Sequence, residues 1–470
     1  MKTLVYALLF TIPVLFYGNE CDCKSNFEWA KTTFENNDAG FEYAISLKGK
    51  SAYESHTEAI AKKASTTSDI RRCEKLVREW LTFFRKGHKG FYAIHTDKNT
   101  NETVQHPSVE PIEIQELKDY LSSKKDLGYE GIWTSSPYTI AVKQINGVYQ
   151  GFVLEVSGGS WKPNQVKFYI NPDDSGVYYM GDYSENPFLK ATLFEDNLLE
   201  MNGIYFTRVF PQSEVNPSVE RYLKLNNAWT PLVEPINQET YLFKIPSFDL
   251  GHKKAIDSLV STHFDKITST KNLIIDLRGN TGGAGKSFTE LLPILYTNPV
   301  KTIYWEHWST PLNNQRWKNW LKNPDLSEEG KRFLTNVSKK LDNNLGEFVY
   351  IYENNGTEVY EQETIHKYPE NIAILIDQYN ASTTEQFLLA AKQSKKVKLY
   401  GKTTFGALDI SEMNQVESPD GNFKLEYCLT KSLRIPDFPI DGIGIQPDYF
   451  LDESVLPYNW IDYALQNMKM

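Results

Sequence analysis

The chain has 470 residues, 40% of them hydrophobic and 13% aromatic, with a formal net charge of −10. At about 100–200 residues per domain that length allows two to four domains with sizeable cores. Acidic and basic residues are interspersed, and the acidic balance argues against nucleic acid or an anionic membrane surface as partner.

Met1-Lys2-Thr3 leads into an apolar run, Leu4 to Tyr17, that ends at Gly18. A positive start, a short apolar core and a small residue are the pattern of a secretory signal. The run is shorter than the ~20 residues a spanning helix needs. Residues 1–18 are therefore read as a signal peptide, with an uncleaved anchor as the other reading. Asn19 and Glu20, before Cys21, are not the small residues of a lipoprotein signal. No later segment is apolar for long enough to cross a membrane. In an exported chain some of Cys21, Cys23, Cys73 and Cys428 are expected to pair. Cys21 and Cys23 are too close for an unstrained mutual bridge. A bridge from one of them to Cys73 would staple the mature N-terminus to a helix. Cys428, in an alternating stretch, reads as a buried thiol. No His/Cys cluster has zinc spacing.

Residues 19–125 read as mainly helical. Asp69 is placed to cap a helix from Arg71 to Arg85, where Leu76, Val77, Trp80, Phe83 and Phe84 form one apolar stripe. Gly87 follows as its left-handed cap, and a strand over Phe91–Ile94 comes next. Residues 126–215 are β-rich, with short alternating runs at 138–142, 149–156 and 166–170 broken by Gly, Pro, Asn and Asp. This predicts a barrel- or sandwich-like domain in which Trp133 and Trp161 are core or rim aromatics. Residues 216–470 alternate apolar strands (242–246, 273–277, 372–376) with helical segments, the pattern of an α/β layer around a buried sheet.

The chemistry concentrates where these strands end. Asp377-Gln378-Tyr379-Asn380 breaks the strand at 372–376, and Ser382-Thr383-Thr384-Glu385 opens a helix. A serine there sits beside unpaired N–H donors at the positive end of a helix dipole, a good place for a nucleophile and its oxyanion. Ser-x-x-Glu is equally a capping box, so the residues alone leave helix capping open. Asp276-Leu277-Arg278-Gly279-Asn280-Thr281-Gly282-Gly283 follows the strand at 273–277, and its glycines let backbone approach a ligand.

Together with Gly401-Lys402-Thr403-Thr404-Phe405-Gly406 and Asp441-Gly442-Ile443-Gly444-Ile445-Gln446-Pro447-Asp448, these segments resemble the C-terminal-processing peptidases, the tail-specific and tricorn-core serine proteases. The resemblance covers about residues 241–452 and implies a crotonase-like catalytic core. No recognisable PDZ domain occupies the β-rich middle. The resemblance makes Ser382 the nucleophile. Members with a Ser–Lys dyad carry lysine directly after this Phe-Gly; here that position is Ala407, and Lys402 is poorly placed to replace it. The base should then be a histidine. Phe83-Phe84-Arg85-Lys86-Gly87-His88 resembles the Gly-His element of triad-type members and points to His88, with His95 as runner-up; His252 and His307 have no such context. The acid falls on Asp441, where the family usually has glutamate, with Asp437 as fallback. The oxyanion donors map to the backbone N–H groups of Gly282 and Thr383, with Gly283 the alternative to Gly282. The sequon Asn380-Ala381-Ser382 reads as accidental.

The resemblance thus implies an exported serine endopeptidase acting through a Ser-His-Asp triad and an acyl-enzyme on protein or peptide substrate. It requires neither metal nor organic cofactor. The alternative is a catalytically decayed peptidase-fold protein that binds peptide or another ligand in the cell envelope; a crotonase-like acyl-CoA enzyme ranks last.

Overall fold

The computed structural model describes residues 20–94, 107–212, 214 and 216–468. The signal-peptide reading of 1–18 and His95 lie outside them. The chain divides into two units: residues 1–99 with 233–450, and residues 100–232 with 451–470.

Among the described residues the first unit holds three sheets, the smallest the antiparallel pair Val300–Ile303 and Thr357–Tyr360. Its six-stranded sheet runs Leu232–Asn237, Thr240–Lys244, Asn272–Asp276, Asn371–Ile376, Val397–Gly401, Tyr449–Phe450 in spatial order. From Thr240–Lys244 onward the pairs are parallel. A parallel strand covered on both faces must be apolar throughout, and Ile372 to Ile376 are all buried. Helices Leu250–Ile267 and Thr383–Ala391 contribute Ile256, Val260, Phe387 and Leu388 to the same core.

The second sheet of this unit joins the N-terminal region to the α/β layer. Gly90–Ala93 pairs antiparallel with Phe423–Ser432, in register from Gly90 opposite Glu426 to Ala93 opposite Phe423. Phe91 stacks on Phe423 with ring centroids 4.8 Å apart. Beneath this seam Phe27, Phe34, Trp80 and Phe84 share one core with Leu425 and Tyr427.

Asp69 caps its helix as predicted, accepting from Arg72 N–H at 2.7 Å. That helix spans Ile70–Leu81 and stops four residues before Arg85. The left-handed residue after it is His88, with φ 53°, and not Gly87. Gly87 is demanded by contact instead: a Cβ there would stand 2.7 Å from Ala407 Cβ.

Cys23 and Cys73 form a disulfide, whereas Cys21 and Cys428 are free and buried. The bridge links helix Cys23–Asn37 to helix Ile70–Leu81. It closes a loop with a sequence separation of 50. A loop of that size is worth about 4 kcal/mol in the chain-entropy account, within a usual range of about 2–5. A Cys23→Ser/Cys73→Ser protein is expected to lose roughly that much stability in urea unfolding at unchanged pH; a loss under about 1 kcal/mol would refute it.

In the second unit nine antiparallel strands between Gly131 and Phe210 form one sheet, with Glu185–Phe188 and Ala191–Phe194 at its two ends. Trp133, Ile140, Phe168, Leu199 and Phe206 fill the core on one face. Helix Ile114–Ser123 packs Leu117 and Leu121 against Ile132, Ala141 and Phe152 on the other. Trp133 and Trp161 are buried, as the sequence predicts. Arg221 pairs with Asp462 at 2.7 Å, fastening the C-terminal helix Trp460–Asn467 to helix Pro217–Asn226 within this unit. Among the described residues, no helix is long and apolar enough to cross a membrane.

Candidate active site

Strand Asn371–Ile376 lies inside the parallel sheet and ends in a turn built by side chains. Asp377 N–H donates to Asn380 Oδ1 at 2.8 Å, and Asn380 Nδ2 donates to the carbonyls of Leu277 and Asn280 at 2.6 and 2.9 Å. This turn is thereby fastened to the glycine-rich strand end. Asn380 is fully buried, which leaves its sequon no exposed amide to glycosylate.

Ser382 follows at φ 56° and ψ −123°, immediately before helix Thr383–Ala391. A non-glycine residue there carries about 1–3 kcal/mol of strain, which surrounding bonds must hold. Its N–H donates to Ala407 O at 2.8 Å and lies 3.3 Å from Glu385 Oε2. Buried Glu385 also accepts from Thr404 Oγ1 at 2.6 Å, Gly406 N–H at 2.8 Å and Ala407 N–H at 2.9 Å. Burial pushes the Glu385 carboxyl above the usual glutamate range, against the pull of these donors. The capping-box glutamate thus ties the Ser382 turn to the Thr404–Ala407 loop, a role not evident from helix capping alone.

Gly282 stands against this turn. A Cβ there would lie 2.9 Å from Ser382 Cβ and 2.9 Å from Ala381 O, at φ 115°. Its N–H donates to Asn280 Oδ1 at 3.0 Å and is therefore already engaged. Gly283 bridges Phe248 in parallel, through Phe248 N–H to Gly282 O and Ala284 N–H to Phe248 O. In that pattern Gly283's own N–H and C=O point to the opposite side. There its C=O accepts from Thr383 Oγ1 at 2.8 Å. The Gly282 N–H expected as an oxyanion donor is thus engaged by Asn280, and the alternative, Gly283, directs its N–H away from Phe248. The Thr383 N–H, the first of its helix, has no intrahelical acceptor.

Ala407 brings the predicted pieces together. Its C=O and N–H bind the Ser382 turn and Glu385, and its Cβ abuts Gly87, the residue before His88. A lysine side chain here would have to displace the Gly87–His88 segment. His88 is partly buried, and its Nδ1 lies 2.7 Å from Ile410 O. The carbonyl can only accept, so Nδ1 carries the proton and Nε2 is left with its lone pair. Burial holds the imidazole below its usual range, while the charge of Asp441 pulls the other way.

Asp441 is close enough to act on His88 electrostatically, but its oxygens are spent elsewhere. Oδ1 accepts from Leu408 and Asp409 N–H at 2.5 and 2.7 Å, and Oδ2 from Ile410 N–H at 3.3 Å. The direct carboxylate–imidazole bond expected from the sequence is thus replaced by the Ile410 carbonyl. Burial and the charge of Asp409 raise the Asp441 carboxyl, and His88 lowers it. Asp437 is exposed on a turn. His307 is buried against Trp317, with its imidazole pushed down to about 3 by desolvation. Among the described residues no group of three or more His, Cys, Asp or Glu could hold a metal ion.

Sequence reasoning missed Ile410, Asn280, Asn380 and Asp409. Ile410 acts through its carbonyl, which leaves no trace in residue type. Asn280 lies within the glycine-rich motif and could have been noticed; its Oδ1 accepts from Gly282 N–H and Thr384 Oγ1. Asp409 accepts from Arg434 and from Asp441 N–H, holding the acid's loop.

Residues 240–451 match the family model described as Peptidase family S41. No curated protein matches the sequence. Among solved structures, mature CPAF complexed with lactacystin aligns with a TM-score of 0.53 and 12% identity over 95% of this chain and 97% of that one. Mature CPAF alone gives 0.52 and 10% over 95% and 96%. The photosystem II D1 C-terminal processing protease gives 0.38 and 12% over 95% and 97%. At such identity the CPAF likeness is one of fold, a mixed α/β fold with strand-rich sheets; the family likeness rests on the model match over residues 240–451. Residues 240–451 thus match peptidase family S41, the C-terminal-processing peptidases, and this match marks the protein as a serine-type peptidase.

Proposed function

We propose that this protein is an exported serine endopeptidase with a crotonase-like core, in which Ser382 is the nucleophile and His88 its base. The observation that carries the reading is the convergence on Ala407. One face of that residue holds the strained Ser382 turn, and the other meets the segment that delivers an imidazole with its Nδ1 proton already fixed. Ser382 Oγ attacks the scissile carbonyl as His88 Nε2 takes its proton. The oxyanion faces the N–H groups of Thr383 and Gly283 at the positive end of the helix. His88 returns the proton to the departing amine, and water then releases the acyl-enzyme by the reverse sequence. Asp441 contributes its charge to the imidazolium and holds the Ile410 carbonyl in place. Export is supported by the Cys23–Cys73 disulfide, since such bridges persist in oxidising compartments.

A serine-directed phosphonate tests this. The expected result is one label per chain, mapped to Ser382. The base must be neutral, and burial holds His88 below its usual pKa of about 6.5, so the labelling rate should rise through a midpoint below that value and stay flat toward pH 8. A midpoint well above 6.5, or a label elsewhere, would sink the assignment. A folded protein that binds peptide but never reacts would instead be the decayed scaffold.

A further inference from the structure

His88 holds a left-handed backbone conformation, φ 53°, that a non-glycine residue rarely adopts unaided. What holds it is a buried ion pair outside the reacting groups. Arg85 Nη1 and Nη2 donate to the two oxygens of Asp38 at 2.7 and 2.6 Å. Nη2 also donates to the His88 carbonyl at 2.7 Å. The Cys428 thiol donates to that same carbonyl at 3.3 Å. The Arg85 side chain is 9% exposed and that of Asp38 0%. Asp38 is saturated, accepting also from Gly40 and Cys428 N–H, each at 2.9 Å.

Burying such a pair is a poor way to gain stability, because desolvation offsets most of the attraction. Its geometry does something an apolar pair could not. The planar guanidinium reads Asp38 with two nitrogens and passes one of them on to the backbone of the base. Asp38 in turn is fixed to Cys428 on the strand paired with Ile410, the residue that fixes Nδ1. The carbonyl and the imidazole of His88 are therefore referenced to one frame. Both halves of the clamp follow helices tied together by Cys23–Cys73: Asp38 comes directly after Cys23–Asn37, and Arg85 four residues after Ile70–Leu81.

We infer that Asp38 and Arg85 are positioning residues for the base, a conclusion that rests on the reading of His88 given above. Arg85→Lys keeps the charge but loses the planar fork. Asp38→Asn/Arg85→Met keeps one side-chain oxygen for the Gly40 N–H, gives up the acceptor of the Cys428 N–H and leaves no unpaired buried charge, so it tests the clamp without the cost of an isolated ion. Both are measured on the full chain for kcat, KM and phosphonate labelling rate, beside thermal unfolding. Displacing a catalytic group by about 1 Å costs up to about 10²-fold. In the folded variants kcat and labelling should therefore fall about tenfold or more, with KM within about twofold. A folded double variant with wild-type kcat would overturn the clamp. A His88→Ala protein with wild-type turnover would overturn the underlying reading instead, and the two failures are distinguishable.

Discussion

Ser382→Ala removes the attacking oxygen and is expected to lower kcat by about 10⁴–10⁶-fold, the scale seen when a serine nucleophile is deleted. Phosphonate labelling should disappear with it. The effect should lie in chemistry and not in folding. Both residues have a Cβ, so alanine inherits the φ of 56° without new strain. The N–H bond to Ala407 O and the Glu385 contacts with the Thr404–Ala407 loop remain. A lost cap would cost about 0.5–2 kcal/mol. Thermal unfolding within a few degrees of wild type, beside absent turnover, is the expected pair of results; persistent labelling of the variant would refute the nucleophile. Comparing the protein termini generated by wild type and Ser382→Ala would also identify the substrates.

His88→Ala should cost nearly as much, and the double variant Ser382→Ala/His88→Ala little more than either alone, because nucleophile and base act as one unit. No neighbouring group is free to take over. Glu385 spends both oxygens on four donors around Ser382, Ala407 has no proton acceptor in its side chain, and Asp441 accepts from three backbone N–H groups. Steady-state kinetics on a fluorogenic peptide, with unfolding as control, measures both. Turnover of His88→Ala within about tenfold of wild type would assign the base elsewhere.

The legible parts of this protein were those encoded by local pattern. The run Ile372–Ile376 is apolar at every position, which only a strand buried on both faces requires, and it lies inside the parallel sheet. Asp69 before an apolar stripe specified the helix cap, and the helix begins at Ile70, one residue before the expected Arg71. The helix end was misread, because a stripe that includes Phe83 and Phe84 fits a helix and equally the turn that packs both rings in one cluster. Gly87 looked like a helix cap because glycine tolerates left-handed backbone. Its actual reason, the approach to Ala407, is a contact between residues 320 positions apart (407 − 87 = 320) that no local pattern carries.

The sequence by itself determined the strand–turn–helix that presents Ser382 and the glycine-rich strand end beside it, and Ala407 in it is what motivates the proposal of a base other than lysine. These depend on residue type at fixed spacing. Only the tertiary structure decided how the base is held. It joined residues 20–94 to 233–450 in one unit, placed the Ile410 carbonyl in place of Asp441 against His88 Nδ1, and engaged the Gly282 N–H with Asn280. Each of these turns on which way a backbone N–H or C=O points. Every residue but proline carries the same backbone donor and acceptor, so the sequence does not distinguish among them and only the folded chain does.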